Sequence, residues 1–284
     1  MPNLSTYQQA LHSAQMLGLD RLDAQLLLLH ALARPESDRA WLLAHGDDAL
    51  DETTAAVFYA FALRRAADEP LAYIVGSKEF FGLTLKVDVR VLVPRPDTET
   101  LVEWMLEILR GRTSLTPPCI LDLGTGSGAI ALAVAHTLQT AGQAARITAV
   151  DASVDALAVA SGNARALKLS LQFILSNWFK KVGARFHIIA SNPPYIASED
   201  AHLAALKHEP LQALASGPDG LDDLRQIIGN APDYLEPGGW LVLEHGYNQS
   251  GAVQDLLSLR GFRLVQSRND LAGIARCSGG QWAA

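Results

Sequence analysis

The sequence predicts an α/β protein: a mostly parallel sheet with helices on both faces, a small helical domain before it and a β-hairpin between the two. Three observations carry this prediction. From residue 119 onward, apolar runs of strand length alternate with helical stretches, the pattern of a doubly wound sheet. Before residue 70, apolar residues recur at helical spacing. Between these regions, residues 80–93 are rich in the residue types of extended chain.

The bulk numbers fit that division. A chain of 284 residues holds one large domain and a small one. Its 49% apolar and 19% charged residues suit a globular protein with a sizeable core. No apolar run approaches the roughly twenty residues of a membrane span, and Met1-Pro2-Asn3-Leu4 lacks the basic patch and apolar stretch of a secretory signal. No membrane association is expected, and the cytoplasm is the expected compartment. Two cysteines, Cys119 and Cys277, are too few for a disulfide scaffold or zinc ribbon. Net charge is −7, and residues 1–75 hold five Arg and no Lys against ten acidic residues. Proteins that grip nucleic-acid phosphates usually present a basic face, so no stable nucleic-acid binding is expected.

The elements follow in order. Leu22, Leu26 and Leu29, then more loosely Val57, Phe61 and Leu63, mark helices within a bundle of about four. Asp20 and Asp51 are expected N-caps, and Gly18, Pro35 and Gly46 punctuate the segment. Residues 1–72 contain no nucleophile pair, glycine loop or metal spacing and read as a recognition domain. Residues 73–94 read as the hairpin linker, with extended runs over 80–87 and 89–93 and Asp88 between them. Pro94-Arg95-Pro96-Asp97-Thr98-Glu99 then leads into an amphipathic helix over about 98–109. Asp97 stands where an N-cap belongs, and Glu99 puts negative charge in the first turn. Within 95–284, strands are expected at 119–123, 146–151, 171–175, 186–191, 239–244, 262–266 and 272–277. Residues 196–220 form a long polar loop, of a kind that is usually mobile and often functional.

Ile120-Leu121-Asp122-Leu123-Gly124-Thr125-Gly126-Ser127-Gly128 is a strand running into a glycine turn that opens a helix. Glycines let the backbone approach a ligand closely, and the helix start offers unpaired N–H groups. Asp151 ends the next strand, where a carboxylate can accept both hydroxyls of a ribose. A nucleoside cofactor at the switch point of the sheet follows. Two cofactors compete. The glycines also satisfy the loose dinucleotide pattern, whereas Asp122 favours S-adenosylmethionine, whose ammonium group needs a nearby acceptor.

After the fourth strand comes Asn192-Pro193-Pro194-Tyr195, at the C-terminal end of a central strand, where open α/β sheets keep their ligands. An amide nitrogen shares its lone pair with its carbonyl and is a poor nucleophile. It reacts with a sulfonium methyl only when its N–H bonds are held by acceptors. The side-chain carbonyl of Asn192 and the main-chain carbonyl of Pro193 are such acceptors. The prolines bring no competing N–H and fix φ, and Tyr195 offers a flat face for stacking.

Together these motifs resemble the release-factor glutamine methyltransferases, also called the PrmC/HemK family. The likeness spans nearly the whole chain: the helical domain, the hairpin, residues 94–99, residues 122–128, Asn192 to Tyr195, Glu244-His245-Gly246 and Asp270-Leu271-Ala272-Gly273. It implies that 95–284 is a class I, Rossmann-like methyltransferase domain using S-adenosylmethionine. It also implies that the substrate is the glutamine of the Gly-Gly-Gln motif in class 1 peptide-chain release factors, methylated on N5 and gripped by the helical domain. In the family, residues at the positions of Asp122, Gly124, Thr125, Gly126, Ser127, Gly128 and Asp151 bind the cofactor, with Trp178 by the adenine. Asn192 touches cofactor and substrate, and Pro193, Pro194 and Tyr195 complete the substrate site. Arg95 and Glu99 are further substrate-side candidates, and Trp178 also reads as a core aromatic. The main alternative is an N6-adenine methyltransferase, which acts on a chemically similar NH2 group; a catalytically silent cofactor-binding module is another. The eight histidines show no metal spacing, and His202 and His208 fall in the polar loop. The tail carries Gly279-Gly280-Gln281, the presumed target tripeptide, as a short motif that recurs by chance.

Overall fold

The computed structural model describes residues 4–111 and 117–283, so Met1, Pro2 and Asn3 of the chain start lie outside the described residues. The chain divides into two units, Met1–Ser77 and Lys78–Ala284.

The first unit is built from α1 (Tyr7–Met16), α2 (Arg21–Ala31), α3 (Arg39–Ala44), α4 (Glu52–Ala66) and α5 (Leu71–Val75). Asp20 accepts the Asp23 amide at 2.8 Å and Asp51 accepts the Thr54 amide at 2.9 Å, so both expected caps start their helices. The count exceeds the expected four because α3 and α5 have only six and five residues, too short for a periodicity to announce. The apolar face also differs. Ala24, Leu27 and Leu28 of α2 pack against Ala55, Phe58 and Ala62 of α4, while Leu22 and Leu63 face solvent. Four consecutive leucines leave the buried stripe of α2 undecided until a neighbouring helix selects it.

A hairpin follows, of β1 (Ser77–Phe80) and β2 (Leu83–Lys86), all of it but Ser77 in the second unit. Its turn is Phe81-Gly82, with φ of 51° and 76°, the left-handed pair of a two-residue hairpin. The turn expected at Asp88 joins no second strand. Asp88 accepts the Arg90 amide and pairs with its guanidinium, which sends residues 89–93 into a loop. Asn163 secures the exit, accepting from the Lys86 amide at 2.9 Å and donating to the carbonyls of Lys86 and Ser127.

The remaining elements are α6 (Glu99–Arg110), β3 (Cys119–Leu123), α7 (Ala129–Thr140), β4 (Arg146–Asp151), α8 (Val154–Ala166), β5 (Gln172–Leu175), β6 (Phe186–Ser191), α9 (Asp222–Asn230), β7 (Leu235–Glu244), α10 (Ser250–Arg260), β8 (Arg263–Asn269) and β9 (Ala275–Gln281). Asp97 does not cap α6; a 3₁₀ turn precedes the helix and Asp97 pairs with Arg276 at 3.1 Å. The sheet order is β5-β4-β3-β6-β7-β9-β8, with the first five strands parallel and β9 antiparallel to both neighbours. Both faces are buried, which is why the central strands read as continuous apolar runs. Ile120, Ile188 and Val242 pack under α6 and α7, and Leu121, Ile189 and Leu241 under α9 and α10.

Two segments depart from the sequence reading. Residues 196–220 contain two short 3₁₀ helices and close on themselves, with Ile196 bridged to Ala215 and the Ser198 amide donating to the Gly217 carbonyl at 2.8 Å. The last strand starts three residues later and ends four residues later than expected, so Gly279-Gly280-Gln281 is sheet rather than tail. A Cβ on Gly279 would sit 2.5 Å from the Leu241 carbonyl oxygen. Close strand packing accounts for that glycine, and a tripeptide locked between β7 and β8 cannot present its glutamine to an active site. Among the described residues, no helix is long and apolar enough to cross a membrane.

Candidate active site

The glycine turn leaves β3 and starts α7. Asp122 sits beneath it, fully buried, with one carboxylate oxygen accepting the Thr125 hydroxyl at 2.6 Å and the Ala131 amide at 3.3 Å. Its other oxygen, Oδ1, is buried without a hydrogen-bond partner. Burial pushes the Asp122 pKa up to about 7. Gly124, Gly126 and Gly128 adopt φ of 70°, 54° and 87°, which curls the chain away from the strand before the helix begins.

Asp151, at the end of β4, faces this turn. One of its oxygens accepts the Gly126 amide and the other the Ser153 amide, each at 2.9 Å. Burial raises its pKa, against the pull of those amides. Trp178 has φ of 46°, and its indole N–H donates to Asp223 at 3.0 Å. Its ring lies against the turn: a Cβ on Gly124 would be 3.4 Å from it.

At the end of β6 the Ser191 hydroxyl donates to the Leu123 carbonyl at 2.7 Å, fastening this edge to the glycine strand. Asn192 then donates from Nδ2 to the Thr98 hydroxyl at 3.3 Å. The Tyr195 hydroxyl donates to Glu244 at 3.4 Å, and its carbonyl accepts from Gln249 at 3.0 Å. Burial and the neighbouring Glu244 push the Tyr195 pKa up.

One cavity of about 270 Å³ draws these segments together. Gly124, Gly126, Asp151, Trp178, Asn192 and Pro194 line it. Val91 and Leu92 from the loop after the hairpin, and Pro210, Gln212 and Ala213 from the 196–220 segment, line it as well. Asp122, Thr125, Ser127, Gly128, Pro193 and Tyr195 are not among the residues that line it. Arg95 and Glu99 do not line it either. Arg95 pairs with the buried carboxylate of Glu209, whose second oxygen accepts the Val93 amide at 3.0 Å. Glu99 accepts the Phe81 amide at 3.0 Å and so supports the hairpin turn.

Sequence reasoning missed Asp223, Asn163 and Gln249, which hold the site from segments remote in sequence, and it named Thr98 only within the motif of residues 94–99. None carries a local signal, because each acts through a contact made only after folding. Glu244 was legible only as part of a family motif.

Residues 4–76 match the model of the PrmC N-terminal domain, and residues 98–259 match that of the methyltransferase small domain. The release factor glutamine methyltransferase of Bordetella pertussis is 48% identical, over 93% of this chain and 95% of its own length. That of Burkholderia pseudomallei is 46% identical over 93% and 92%, and that of Xylella fastidiosa strain Temecula1 44% over 95% and 98%. Among solved structures, the hMettl16 catalytic domain superposes with a TM-score of 0.57 at 15% identity, covering 82% of this chain and 83% of its own. A methyltransferase from Pyrococcus furiosus superposes at 0.52 with 17% identity, covering 83% and 100%. At those identities the two structures speak for the fold alone.

Proposed function

The chain belongs to the release factor glutamine methyltransferases, and from that premise we propose that it transfers a methyl group from S-adenosylmethionine to the side-chain amide nitrogen, N5, of the glutamine in the Gly-Gly-Gln motif of class 1 release factors. One observation carries the reaction type. Asn192 and Pro194 share a cavity with Gly124, Gly126 and Asp151, so an amide-binding group and a nucleoside-binding group face the same space. The choice of substrate rests on the family.

The residues present fit the cofactor. Asp151 still has lone pairs for ribose hydroxyls after accepting its two amides. Trp178 presents an aromatic ring beside the glycine turn for an adenine. The unpaired Oδ1 of Asp122 puts negative potential beneath the turn, where it favours a cationic ligand. When bound, S-adenosylmethionine supplies an electrophilic methyl on a sulfonium. The protein's part is to hold the nucleophile. Thr98 takes the NH2 end of Asn192, which turns the carboxamide oxygen toward a substrate N–H. The Pro193 carbonyl takes the second N–H, and Gln249, by holding the Tyr195 carbonyl, keeps the 192–195 backbone from swinging. Positioning of this kind contributes up to about 7–11 kcal/mol in favourable intramolecular reactions. No base is needed before attack, since the nitrogen sheds its proton to water once the N–C bond has formed. The helical unit is the part assigned to gripping the release factor, and the cytoplasm is the compartment assigned to the reaction. A stable nucleic-acid complex has no place in this reading, in keeping with a net charge of −7.

Label from methyl-labelled S-adenosylmethionine, offered in parallel to a class 1 release factor, its Gln→Ala variant and duplex DNA, tests the assignment. Label on the native factor alone is expected. Label on DNA alone would overturn the substrate and keep the role of Asn192.

A further inference from the structure

Two segments of the cavity wall come from outside the sheet and its strand ends. One is residues 90–92, in the loop after the hairpin; the other is Pro210, Gln212 and Ala213, within the 196–220 segment. Gln212 both lines the cavity and is exposed, so the cavity meets solvent along this segment. Each segment is braced locally. The Val91 amide donates to the Asp88 carbonyl at 3.1 Å, the Glu209 amide to the Leu206 carbonyl at 2.9 Å and the Ala213 amide to the Pro210 carbonyl at 2.9 Å.

Glu209 joins the two segments. Its Oε2 accepts the Val93 amide at 3.0 Å and its Oε1 accepts the Arg95 guanidinium. Val93 directly follows the lining Leu92 and Glu209 directly precedes the lining Pro210, so the tie falls one residue from the cavity on both sides. The Glu209 side chain is 2% exposed and that of Arg95 35%. Taking a carboxylate out of water is costly, and an apolar pair of similar volume is often no less stable. An apolar pair would not supply a fixed arrangement, in which two donors of one segment converge on a single carboxylate of the other.

We propose that Glu209 is a positioning residue for the cofactor: through Val93 and Arg95 it holds the two outer wall segments together and so retains S-adenosylmethionine in the cavity. The inference rests on the cofactor assigned above and goes beyond it by giving a task to a residue that does not itself line the cavity. Loss of the tie lets a wall segment swing toward solvent, which speeds escape of the cofactor without raising the barrier to methyl transfer.

Glu209→Gln separates this role from the filling of space. Glutamine keeps the shape, but its one carbonyl oxygen cannot serve two donors, and its NH2 must face either the Val93 amide or the Arg95 guanidinium. In the full-length protein, S-adenosylmethionine should leave E209Q about tenfold faster by stopped flow, with Kd about tenfold higher by calorimetry. Its kcat at saturating S-adenosylmethionine, with a release factor as acceptor, should not fall. Arg95→Ala should also speed dissociation, and Arg95→Lys, which keeps a cation opposite Oε1, should slow it again. Equal dissociation from parent and E209Q, or a lower kcat with unchanged affinity, would overturn the proposal.

A second readout needs no variant: exchange of the Val93 amide hydrogen with solvent deuterium, followed by NMR. The acceptor of that amide is Glu209, so exchange requires the tie to open. If the closed tie retains the cofactor, the cofactor must hold the tie closed by the same factor. Saturating S-adenosylmethionine should therefore slow Val93 exchange about tenfold more than that of Phe81. The Phe81 amide donates to Glu99 in the hairpin turn and reports stabilisation of the fold at large. Equal slowing of the two amides would overturn the proposal even if E209Q failed to fold. A parent that bound S-adenosylmethionine but labelled no release factor would overturn the functional reading alone, with the dissociation and exchange measurements still deciding the role of Glu209.

Discussion

Gly126 and Gly128 are two residues apart in one turn, yet alanine should damage different properties at each. At Gly128 the added Cβ would lie 2.8 Å from Leu132 Cδ1 and 3.3 Å from the Ala160 Cβ. Both neighbours are fully buried, so neither can move aside cheaply. A left-handed φ of 87° costs an L-residue about 1–2 kcal/mol, and overpacking adds about 1–3 kcal/mol. Gly128→Ala should therefore destabilise the second unit by about 2–5 kcal/mol. At Gly126 nothing lies within 4 Å of the added Cβ, so only the backbone term applies, about 1–2 kcal/mol. Gly126 lines the cavity, however, and a methyl there occupies space the cofactor needs. Urea unfolding, compared by midpoint at constant slope, reads the first effect. Calorimetric titration with S-adenosylmethionine reads the second. G128A should lose stability and, where folded, bind nearly normally; G126A should keep most of its stability and bind at least about tenfold more weakly. If G128A proved as stable as the parent and lost binding instead, the packing role given to the third glycine would be wrong.

Asn192→Ala should lower kcat by about a hundredfold or more, as loss of one preorganised polar contact does, while cofactor affinity stays within about tenfold; retained turnover would remove Asn192 from the reaction. Asp223→Ala frees the indole N–H of Trp178, so S-adenosylmethionine affinity should fall about tenfold with kcat at saturation preserved. A lowered kcat with normal affinity would contradict that role. Stability without ligand should also depend on pH. Unfolded Asp122 ionises near its ordinary 3.8, whereas the folded group holds its proton to about 7. The folded state therefore binds more protons across that interval, and stability falls as pH rises through it, on the order of 4 kcal/mol from this group. Urea midpoints between those limits should show the slope, and Asp122→Asn should reduce it, the buried Glu244 contributing the same sign in both proteins; an equal slope in both proteins would mean that Asp122 ionises normally in the fold.

Most of the catalytic unit was readable before folding because its signals are local. An apolar run bounded by turn residues marks a parallel strand, so the predicted bounds 119–123, 146–151 and 186–191 coincide with β3, β4 and β6. The cavity-lining Gly124, Gly126, Asp151 and Asn192 follow from strand ends, since in such sheets a ligand lies where the strands finish. Trp178 reads from the sequence both as a neighbour of the adenine, by the family resemblance, and as a core aromatic, and the fold sets its ring against Gly124.

Other features depended on partners the local sequence does not name. The buried stripe of α2, the hairpin turn at Phe81-Gly82 and the inclusion of Gly279-Gly280-Gln281 in β9 were each settled by a packing neighbour. The sequence by itself determined the order of strands and helices, the glycine turn, and which residue types meet at the strand ends. Only the tertiary structure decided that Arg95 and Glu99 find partners in Glu209 and Phe81, that Thr98 holds Asn192, and that Glu244 meets the Tyr195 hydroxyl. Periodicity and turn chemistry are properties of neighbouring residues, whereas a hydrogen bond between residues 98 and 192 exists only once α6 has packed onto the sheet beside β6.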